Sequence, residues 1–481
     1  PQDTVSLREV VSWVTSTILR KLPTEGGPAL LAERASRLND LGIMQRDLGQ
    51  YEAACTTAQE AVNCYRKLAS IRPNLFLPEL ARSLNNLSNR QLELGQYTAA
   101  LSSSQESVEI RRNLNNTHPG IYLSGLAASL NALGGCHTKM GQYEEALKAL
   151  QEAVGIKREL AKLAPDLLPD LAISLTNLGT IQLQLDKHEA ALASLLEAVS
   201  LRRKLTETHP NEFLPRLALS LGILGAIQKE LGQDEAALAS TQEAVSHYRK
   251  LAEARPDAFL TNLAAYLNNL STVQLKLGQN EAALASAQEA IKHYRRLVGI
   301  RPGALLPDLA NSLSTAGSSY SILGRHKEAL TLVQEAVMHY RTLANTAPSV
   351  FLPYLARHLV HLASVQIDLE QHEEALASVK EAITHYRELA DNDPELFSSD
   401  LTMSLNMQSA LQSDHGQPEE ALASAEDALD VIWPVFLSHP ETFLKHTQAT
   451  IENVFSCLQE TKRPPTKKLI ERVNIFRIIC V

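Results

Sequence analysis

Two kinds of side chain recur in this sequence in a pattern suited to binding a ligand: asparagine amides and isolated cations. An amide both donates and accepts hydrogen bonds, so a row of asparagines at regular spacing can pair with the backbone of an extended peptide whatever its sequence. Cations beside the row could contact carboxylates. The candidate peptide-binding residues are Arg82, Asn85, Asn86, Asn89, Asn131, Lys139, Asn177, Lys229, Asn268, Asn269, Lys276 and Arg357. Because Glu93, Glu230 and Asp368 lie among them, no clamp of a single charge sign is predicted.

Histidines recur at another fixed position, at His247, His293, His339 and His385, each followed by Tyr and Arg. Successive members are 46 residues apart and would lie on neighbouring packed helices, which are on the order of 10 Å apart. Zinc ligands must each lie within about 2.1 Å of the ion, so these histidines cannot share one, and we expect them to pack at helix ends. The sequence also has no G-x-x-x-x-G-K-[ST] phosphate loop and no nucleophile elbow. No metal, cofactor or catalytic residue is predicted, and the chain is not expected to be an enzyme.

A repeat of 46 residues organises the chain. Nine versions of a motif such as L-G-Q-Y-T-A-A-L, which begins at Leu94, follow one another at this interval. One interval is 45 residues, between Met140 and Leu185. A proline that follows each motif keeps the same interval and shows the same deletion, between Pro165 and Pro210. Two columns that share one irregularity indicate a structural repeat.

Each repeat is predicted to form two helices. In the second repeat, helix A is expected from about Pro78 to Leu94, with Gly95 in a left-handed conformation at its end. Helix B is expected from about Thr98 to Leu114, and residues 115–119 should break it, because proline cannot continue a helix. Basic pairs close several B helices, where cations compensate the helix dipole, and we expect these pairs to be solvated. They are Arg111 with Arg112, Lys157 with Arg158, Arg202 with Arg203 and Arg295 with Arg296.

Helical geometry places the candidate residues on one side of helix A. Successive side chains step by about 100° around a helix. The side that packs into the array holds Leu84, Leu87, Ser88 and Gln91, and the outer, polar side holds Arg82, Asn85, Asn86, Asn89 and Glu93. Two interpretations of the asparagines stay open. Asparagine is tolerated on an exposed helix face without any function, but it is a poor helix former, and its recurrence favours ligand binding.

Small residues recur where helices approach too closely for larger side chains. One such column lies in helix A and includes Gly42, Ser88 and Gly134, and two lie in helix B and include Ala54 and Ala61. These columns resemble the small positions of tetratricopeptide repeats (TPRs), and the resemblance extends from residue 28 to about residue 440.

The sequence departs from that family in two respects. Leu84 and Gln91, with their equivalents, stand where the family often has an aromatic residue. The period of 46 residues exceeds the usual 34 and implies longer helices and a longer connecting loop. Long periods with L-N-N-L in helix A and H-P in the loop, as at His118 and Pro119, are similar to kinesin light chains. They are equally similar to arrays attached to NACHT or NB-ARC signalling ATPases.

The resemblance implies an all-α fold: a right-handed superhelical solenoid of nine antiparallel helix pairs, an α-α superhelix, with capping helices. Residues 1–27 would form an N-terminal capping helix or the remnant of an upstream domain, residues 28–440 the nine repeats, and residues 441–481 C-terminal capping helices. It also implies that the outer side of helix A lines a concave groove. In related arrays an asparagine ladder there holds a peptide backbone, and the matching positions are Asn86, Asn177 and Asn269.

Two functions follow from the resemblance. The first is a protein–protein interaction scaffold that binds an extended peptide or partner protein in the concave groove. The alternative is the ligand-sensing repeat region of a larger STAND-type (NACHT or NB-ARC) signalling ATPase, for which a first residue of Pro1 rather than Met is a hint. An upstream phosphate loop would select the second function, and an upstream coiled coil would favour the first.

Charge and composition bound the partners. The formal net charge of −9 offers no clustered cations for phosphates, so nucleic acid is not an expected partner. No apolar run approaches 20 residues and no signal peptide is evident, so we expect a cytoplasmic protein that does not enter a membrane. Five cysteines without paired spacing predict neither a disulfide framework nor a zinc cluster. Homo-oligomerisation stays open.

Overall fold

A computed structural model describes residues 2–22, 26–299 and 302–479, so Pro1 and Cys480 lie outside the described residues. The described residues form 21 α-helices, one 3-10 turn at Pro165–Leu167 and no strand. The helices are α1 Gln2–Lys21, α2 Pro28–Asp47, α3 Tyr51–Ile71, α4 Pro73–Glu93, α5 Tyr97–Thr117, α6 Leu123–Lys139, α7 Tyr143–Leu163, α8 Leu168–Gln184, α9 His188–Thr208, α10 Pro210–Glu230, α11 Asp234–Ala254, α12 Pro256–Lys276, α13 Asn280–Val298, α14 Pro302–Ile322, α15 His326–Thr346, α16 Pro348–Asp368, α17 His372–Asn392, α18 Pro394–Asp414, α19 Pro418–Ser438, α20 Pro440–Thr461 and α21 Lys467–Ile479.

Consecutive helices pair as predicted. Even-numbered helices from α2 to α18 are the A helices, and each packs against the odd-numbered B helix that follows it, which makes nine hairpins in the described part of the chain. The predicted all-α repeat fold is confirmed. The packing divides the chain into two compact units, residues 1–244 and 245–481, and the boundary falls within α11.

At six places in the described part of the chain a single residue connects a B helix to the helix that follows, much less than expected, whereas five residues join α5 to α6 and Ala164 with the 3-10 turn joins α7 to α8. Arg72 alone joins α3 to α4, with φ −137° and ψ 77°, and Pro73 is the first residue of α4. A proline forces the residue before it into an extended conformation, and at the first helical position its missing N–H costs nothing. In these repeats proline starts helix A instead of only ending helix B, and the prediction of a longer loop is wrong for them. The extra residues of the period lie in helices of 21 residues, about 31 Å long, and Pro78 lies inside α4.

The turn from helix A to helix B is as predicted. Gly95 has φ +70°, and the Gln96 N–H donates to the carbonyl of Gln91 at 2.8 Å. Such a left-handed residue closes the helix by satisfying its last carbonyls. Glycine fills this position in most repeats, whereas Asp186 and Glu370 occupy it with φ of +54° and +59°.

The small columns hold the two helices of a hairpin close together. A Cβ on Gly225 would lie 3.3 Å from the carbonyl oxygen of Ala237, and on Gly179 it would lie 3.3 Å from that of Ala191. Where serine replaces the glycine, its hydroxyl donates to the same carbonyl of helix B, as from Ser88 to Ala100 at 2.9 Å. Buried leucines such as Leu84 fill the space around these contacts, each contributing about 2 kcal/mol.

Helices also lie at both predicted ends. In α1, Leu19 packs against Leu38 and Leu41 of α2. At the other end α20 and α21 pack on α19, where Phe476 contacts Phe436. The boundaries at residues 27 and 440 stay predictions. Among the described residues, no helix combines the length and apolarity needed to cross a membrane.

Candidate peptide-binding face

The candidate residues lie on the A helices, on a surface that we call the A face. It consists of the positions of Arg82, Asn86, Asn89 and Glu93 in α4 and their equivalents in the other A helices of the same unit. The opposite side of α4 is buried, with Leu84 at 0 % and Leu87 at 3 % exposure. The pattern of burial thus orients the A face as the helical periodicity predicted.

The column of Asn85 turns towards neighbouring A helices instead of solvent. In its first member, Asn39, the amide nitrogen donates to the Ser83 hydroxyl of the next repeat at 2.8 Å. In its third member, Asn131, the amide oxygen accepts from Ser174 Oγ at 3.1 Å. The amide oxygens of Asn85 and Asn268 are buried and have no hydrogen-bond partner among the described residues. This column joins successive repeats, so it has fewer amide groups left for a ligand than its regular spacing suggests.

The next column, that of Asn86, points outward. Asn86 and Asn89 lie one turn apart on α4, both are half-buried, and neither makes a hydrogen bond within the described residues. Asn177 donates to Asn131 at 3.4 Å, whereas Asn269 is exposed. The structure therefore separates two adjacent asparagine columns that the sequence placed on one face.

The five candidate cations differ in how far they are engaged. Arg82 is exposed and forms an ion pair with Glu79 on its own helix. Arg357 faces Asp400: burial raises the pKa of this carboxyl, and the guanidinium opposes the rise. Lys229 is half-exposed and Lys276 is exposed. Lys139 is exposed and has no ion pair or hydrogen bond within the described residues, so it is the cation best placed to contact a carboxylate.

The A face is apolar on α10. Leu219 is 41 % exposed, and Ile223 and Ala226 follow it at the positions that α4 fills with asparagines. On this helix the polar residues predicted for the face are confined to its end, at Lys229 and Glu230. Leu219 is exposed and Ile223 packs in part against the core of unit 1, and together they form an apolar patch on α10.

The prediction that the basic pairs at the ends of B helices are solvated is wrong for two first members, Lys157 and Arg202. Arg202 is only 4 % exposed; it donates to the carbonyl of Arg216 at 2.7 Å and also to Ser220 Oγ. Lys157 is 8 % exposed and donates to Ser174 Oγ at 2.8 Å. Burial lowers the pKa of both groups, that of Arg202 to about 10. These side chains reach beneath the next A helix and are not solvated.

One arginine near the end of each of seven B helices forms an ion pair with the next B helix. These ion pairs, which include the second members of three basic pairs and also Arg295, form a ladder that we call the B ladder. Each arginine meets a glutamate of the next repeat, at nitrogen–oxygen distances of 2.5 to 2.7 Å. The pairs are Arg66–Glu106, Arg112–Glu152, Arg158–Glu197, Arg203–Glu243, Arg249–Glu289, Arg295–Glu335 and Arg341–Glu381. The near-constant separation of 40 residues was the sequence signal that could have revealed it. Because both partners are about half exposed, each pair contributes about 0–1 kcal/mol.

The recurring histidines sit at the ends of B helices beside acidic residues. His293 lies 3.8 Å from Glu289 and His339 lies 3.7 Å from Glu335, each one helical turn away. Within the described ranges, no three histidines, cysteines or carboxylates come close enough together to hold a metal ion.

These hairpins, with small residues where the helices touch and glycine between them, define an all-α repeat protein. TPR family models match residues 125–204, and separately residues 34–72, 80–120 and 263–303. A model of anaphase-promoting complex subunit 5 matches residues 206–267 and 341–394. The chain belongs to the tetratricopeptide repeat family. No curated protein matches it in sequence.

Solved structures of several helical-repeat proteins are similar to the chain. BtubC from P. vanneervenii is 21% identical over 51% of this chain and 91% of its own, with a TM-score of 0.40. The nearly identical TPR-like repeats from a kinesin light chain of P. anserina are 22% identical over 46% and 97%, with a TM-score of 0.38. A STAND protein with a TPR sensor from Pyrococcus horikoshii is 13% identical over 77% and 54%, with a TM-score of 0.47.

Proposed function

We propose that the chain is a protein-interaction scaffold whose A face binds an extended peptide of a partner protein. Tetratricopeptide repeats generally mediate contacts between proteins and are not catalytic. The finer proposal, a peptide held along the A face, rests on the side chains that this face leaves free.

The pair Asn86 and Asn89 carries the proposal. Both amides are held on one helix, are partly shielded from water and have no hydrogen-bond partner among the described residues. Each can donate to a peptide carbonyl and accept from the following N–H. Since α4 is fixed from the preceding repeat by the bond from Asn39 to Ser83, these amides are ordered before a ligand arrives. A pre-ordered site loses less entropy on binding.

Two further features of unit 1 define the peptide. The patch of Leu219 and Ile223 on α10 suits an apolar side chain, and the free Lys139 on α6 suits a carboxylate. The expected ligand is therefore an extended segment with an apolar residue and an acidic residue, and its backbone contacts the amides of α4.

The alternative, a sensor region of a STAND-type ATPase, stays a prediction. The ATPase would lie outside the residues printed here, which contain no phosphate loop motif. Sequencing the full gene and finding a G-x-x-x-x-G-K-[ST] motif in it would select this alternative.

The test uses displayed peptides and matched variants of the full chain. Random 12-residue peptides are selected on the unmodified protein, and the affinities of the best binders are then measured for Asn86→Ala/Asn89→Ala. Losing two amides should weaken binding about tenfold or more, because each lost hydrogen bond is worth about 1 kcal/mol. The control is Asn74→Ala, an exposed asparagine near the start of the same helix. The proposal fails if every selected peptide binds the double variant as tightly as it binds the control.

A further inference from the structure

Grooves run between consecutive B helices, on the surface that also carries the B ladder, and three of them open into cavities. They measure about 370 Å³ beside α5, 560 Å³ between α9 and α11, and 580 Å³ between α13 and α15. Each cavity is lined by an arginine of the ladder and floored by the intervening A helix: the arginines are Arg112, Arg203 and Arg295. The cavities are thus equivalent places in three repeats, and their differences are informative.

The floor of the cavity between α13 and α15 breaks a rule that six other repeats obey. In those repeats a glutamine of helix A accepts a hydrogen bond of 2.7 to 2.9 Å from a serine of helix B. The pairs are Gln91–Ser103, Gln182–Ser194, Gln228–Ser240, Gln274–Ser286, Gln366–Ser378 and Gln412–Ser424. Here Tyr320 and Leu332 stand at the two positions. A closed polar pair has been replaced by an aromatic ring and an alkyl chain that face the opening.

The tyrosine is fixed in place. Tyr320 is 9 % exposed, and its hydroxyl accepts from the amide nitrogen of Gln288 at 2.7 Å. The guanidinium of Arg325 lies 4.6 Å from the centre of its ring. With Ile291 buried beside it, the cavity has a rigid apolar floor. Its volume falls within the range of about 300–1,000 Å³ typical of ligand sites.

The rim of the cavity is positive. Glu328 is paired with Arg325, and Arg295 is paired with Glu335. Lys292 is exposed and makes no ion pair or hydrogen bond within the described residues. The equivalent residues of the other two cavities are Glu109 and Ser200. The cavity between α9 and α11 also has an exposed lysine, Lys204, but its floor carries the polar Gln228–Ser240 pair. Among the three cavities, only the one between α13 and α15 combines an unpaired cation with a floor that lacks this pair.

We propose that the cavity between α13 and α15 is a second binding site, which takes one apolar side chain from an acidic polypeptide segment. The floor of Tyr320, Leu332 and Ile291 accepts the apolar side chain, and Lys292 pairs with a carboxylate next to it in the segment. A polypeptide fits because the cavity is an open groove between two helices, so that a chain can cross it while inserting one residue. This site lies apart from the A face and does not depend on its function.

The experiment uses the full chain with labelled isoleucine and leucine methyl groups and the blocked peptide acetyl-Glu-Leu-Glu-amide. Methyl NMR should show shifts at Ile291 and Leu332. Acetyl-Lys-Leu-Lys-amide and acetyl-Glu-Ala-Glu-amide should each bind at least fivefold more weakly, since one lacks the carboxylates and the other the apolar side chain.

Two variants borrow residues that other repeats already use, so the fold is expected to tolerate them. Tyr320→Gln/Leu332→Ser restores the common glutamine–serine pair and should weaken binding of the acidic peptide at least tenfold at Ile291. Lys292→Ser copies Ser200 and should abolish the preference for Glu-Leu-Glu over Lys-Leu-Lys. Thermal melting of each variant checks that it is folded.

Several results would overturn the proposal. One is unchanged binding in the folded Tyr320→Gln/Leu332→Ser variant. Others are shifts centred on Leu224 of the neighbouring unit's cavity, or no shifts at millimolar peptide. If free 4-methylvalerate binds as tightly as the tripeptide, the site takes a small molecule and the commitment to a polypeptide is wrong. Binding that is lost in Asn86→Ala/Asn89→Ala but not in the pocket variants would place the peptide on the A face instead.

Discussion

The two units fill one buried position with different chemistries. Beneath the A helix that follows each B helix, unit 1 has Tyr65 in its first repeat and then cations at three successive repeats, whereas unit 2 has tyrosines at four successive repeats. The cations are Arg111, Lys157 and Arg202, and the tyrosines are Tyr248, Tyr294, Tyr340 and Tyr386. Arg202 and Tyr340 have 4 % and 0 % exposure, so both chemistries are buried in the same place.

The comparison shows what the position requires. Lys157 donates from its tip to the backbone carbonyl of Asp170, and the Tyr340 hydroxyl donates to the side-chain oxygen of Asn311 at 2.8 Å. Tyr340 also stacks on Tyr354, at 5.7 Å between ring centres. The position needs a long side chain with an apolar stem and a donor at its end. Charge is not needed, and burial opposes it by lowering the pKa of Arg202 and Lys157.

The largest expected effect comes from Arg202. Arg202→Ala should lower the free energy of unfolding by about 3 kcal/mol, because it leaves a cavity and removes the donor from the carbonyl of Arg216. Arg202→Tyr should cost less than about 1 kcal/mol, since the A helix that follows Tyr294 has the same serine, Ser312, at the position of Ser220, and a buried charge disappears. Urea unfolding measures both. If the tyrosine variant is as unstable as the alanine variant, the two chemistries are not interchangeable.

The second effect tests the Asn86 column, where unit 2 has a histidine. His361 lies 2.8 Å from Ser314 Oγ and 3.3 Å from Ser318 Oγ, and burial lowers its pKa to about 4, with His358 adding to the effect. In the unfolded chain its pKa is about 6.5, so protonation favours unfolding. The stability that it contributes is complete above pH 6.5 and is lost as the pH falls towards 4. Between pH 7 and pH 5 the loss should be about 2 kcal/mol.

The control for that experiment is His361→Asn, which copies Asn177 of unit 1. Urea unfolding at the two pH values should show the pH-dependent loss shrink by about 2 kcal/mol in this variant. An identical loss in the variant and the unmodified protein would show that other groups cause it.

These comparisons also show how much the sequence could reveal. The period, the pairing of helices, the small columns and Gly95 were all predictable, because each depends on local geometry repeated nine times. The one-residue link at Pro73 was missed because proline was read only as the end of a helix, whereas it also suits the start of the next. The all-α repeat could be foreseen, but not how little chain separates its helices.

The site was less predictable because it depends on contacts between repeats. Whether Asn85 or Asn86 faces solvent depends on a single step of about 100° around the helix, and the neighbouring A helix decides it. The burial of Arg111 also had a signal in the sequence, because tyrosine fills the same column in other repeats. In the structure Gly125 lies against its guanidinium, where an added Cβ would clash. The dipole of its own helix predicts a solvated cation, and the burial comes from a helix of the next repeat.

The smallest effect concerns a strain that the two units share. Asp186 in unit 1 and Glu370 in unit 2 replace the usual glycine at the A–B turn, at positive φ. The left-handed conformation costs such residues about 1 kcal/mol. Glycine removes this strain but loses more backbone entropy on folding, which offsets part of the gain. Glu370→Gly and Asp186→Gly should each raise the free energy of unfolding by about 0.5 kcal/mol. If one glycine variant raises the free energy of unfolding and the other lowers it by the same amount, local contacts outweigh the strain.

The one-residue links determine where the chain can accept extra residues. At the A–B turns three residues, such as Leu94, Gly95 and Gln96, separate the helices, and their backbone can lengthen without moving any packed surface. At Arg72 the chain leaves one 21-residue helix and enters the next within a single extended residue. An inserted sequence, a cleavage site or a dye should therefore be tolerated best at the glycine turns. An insertion at a one-residue link before a proline would separate two packed hairpins.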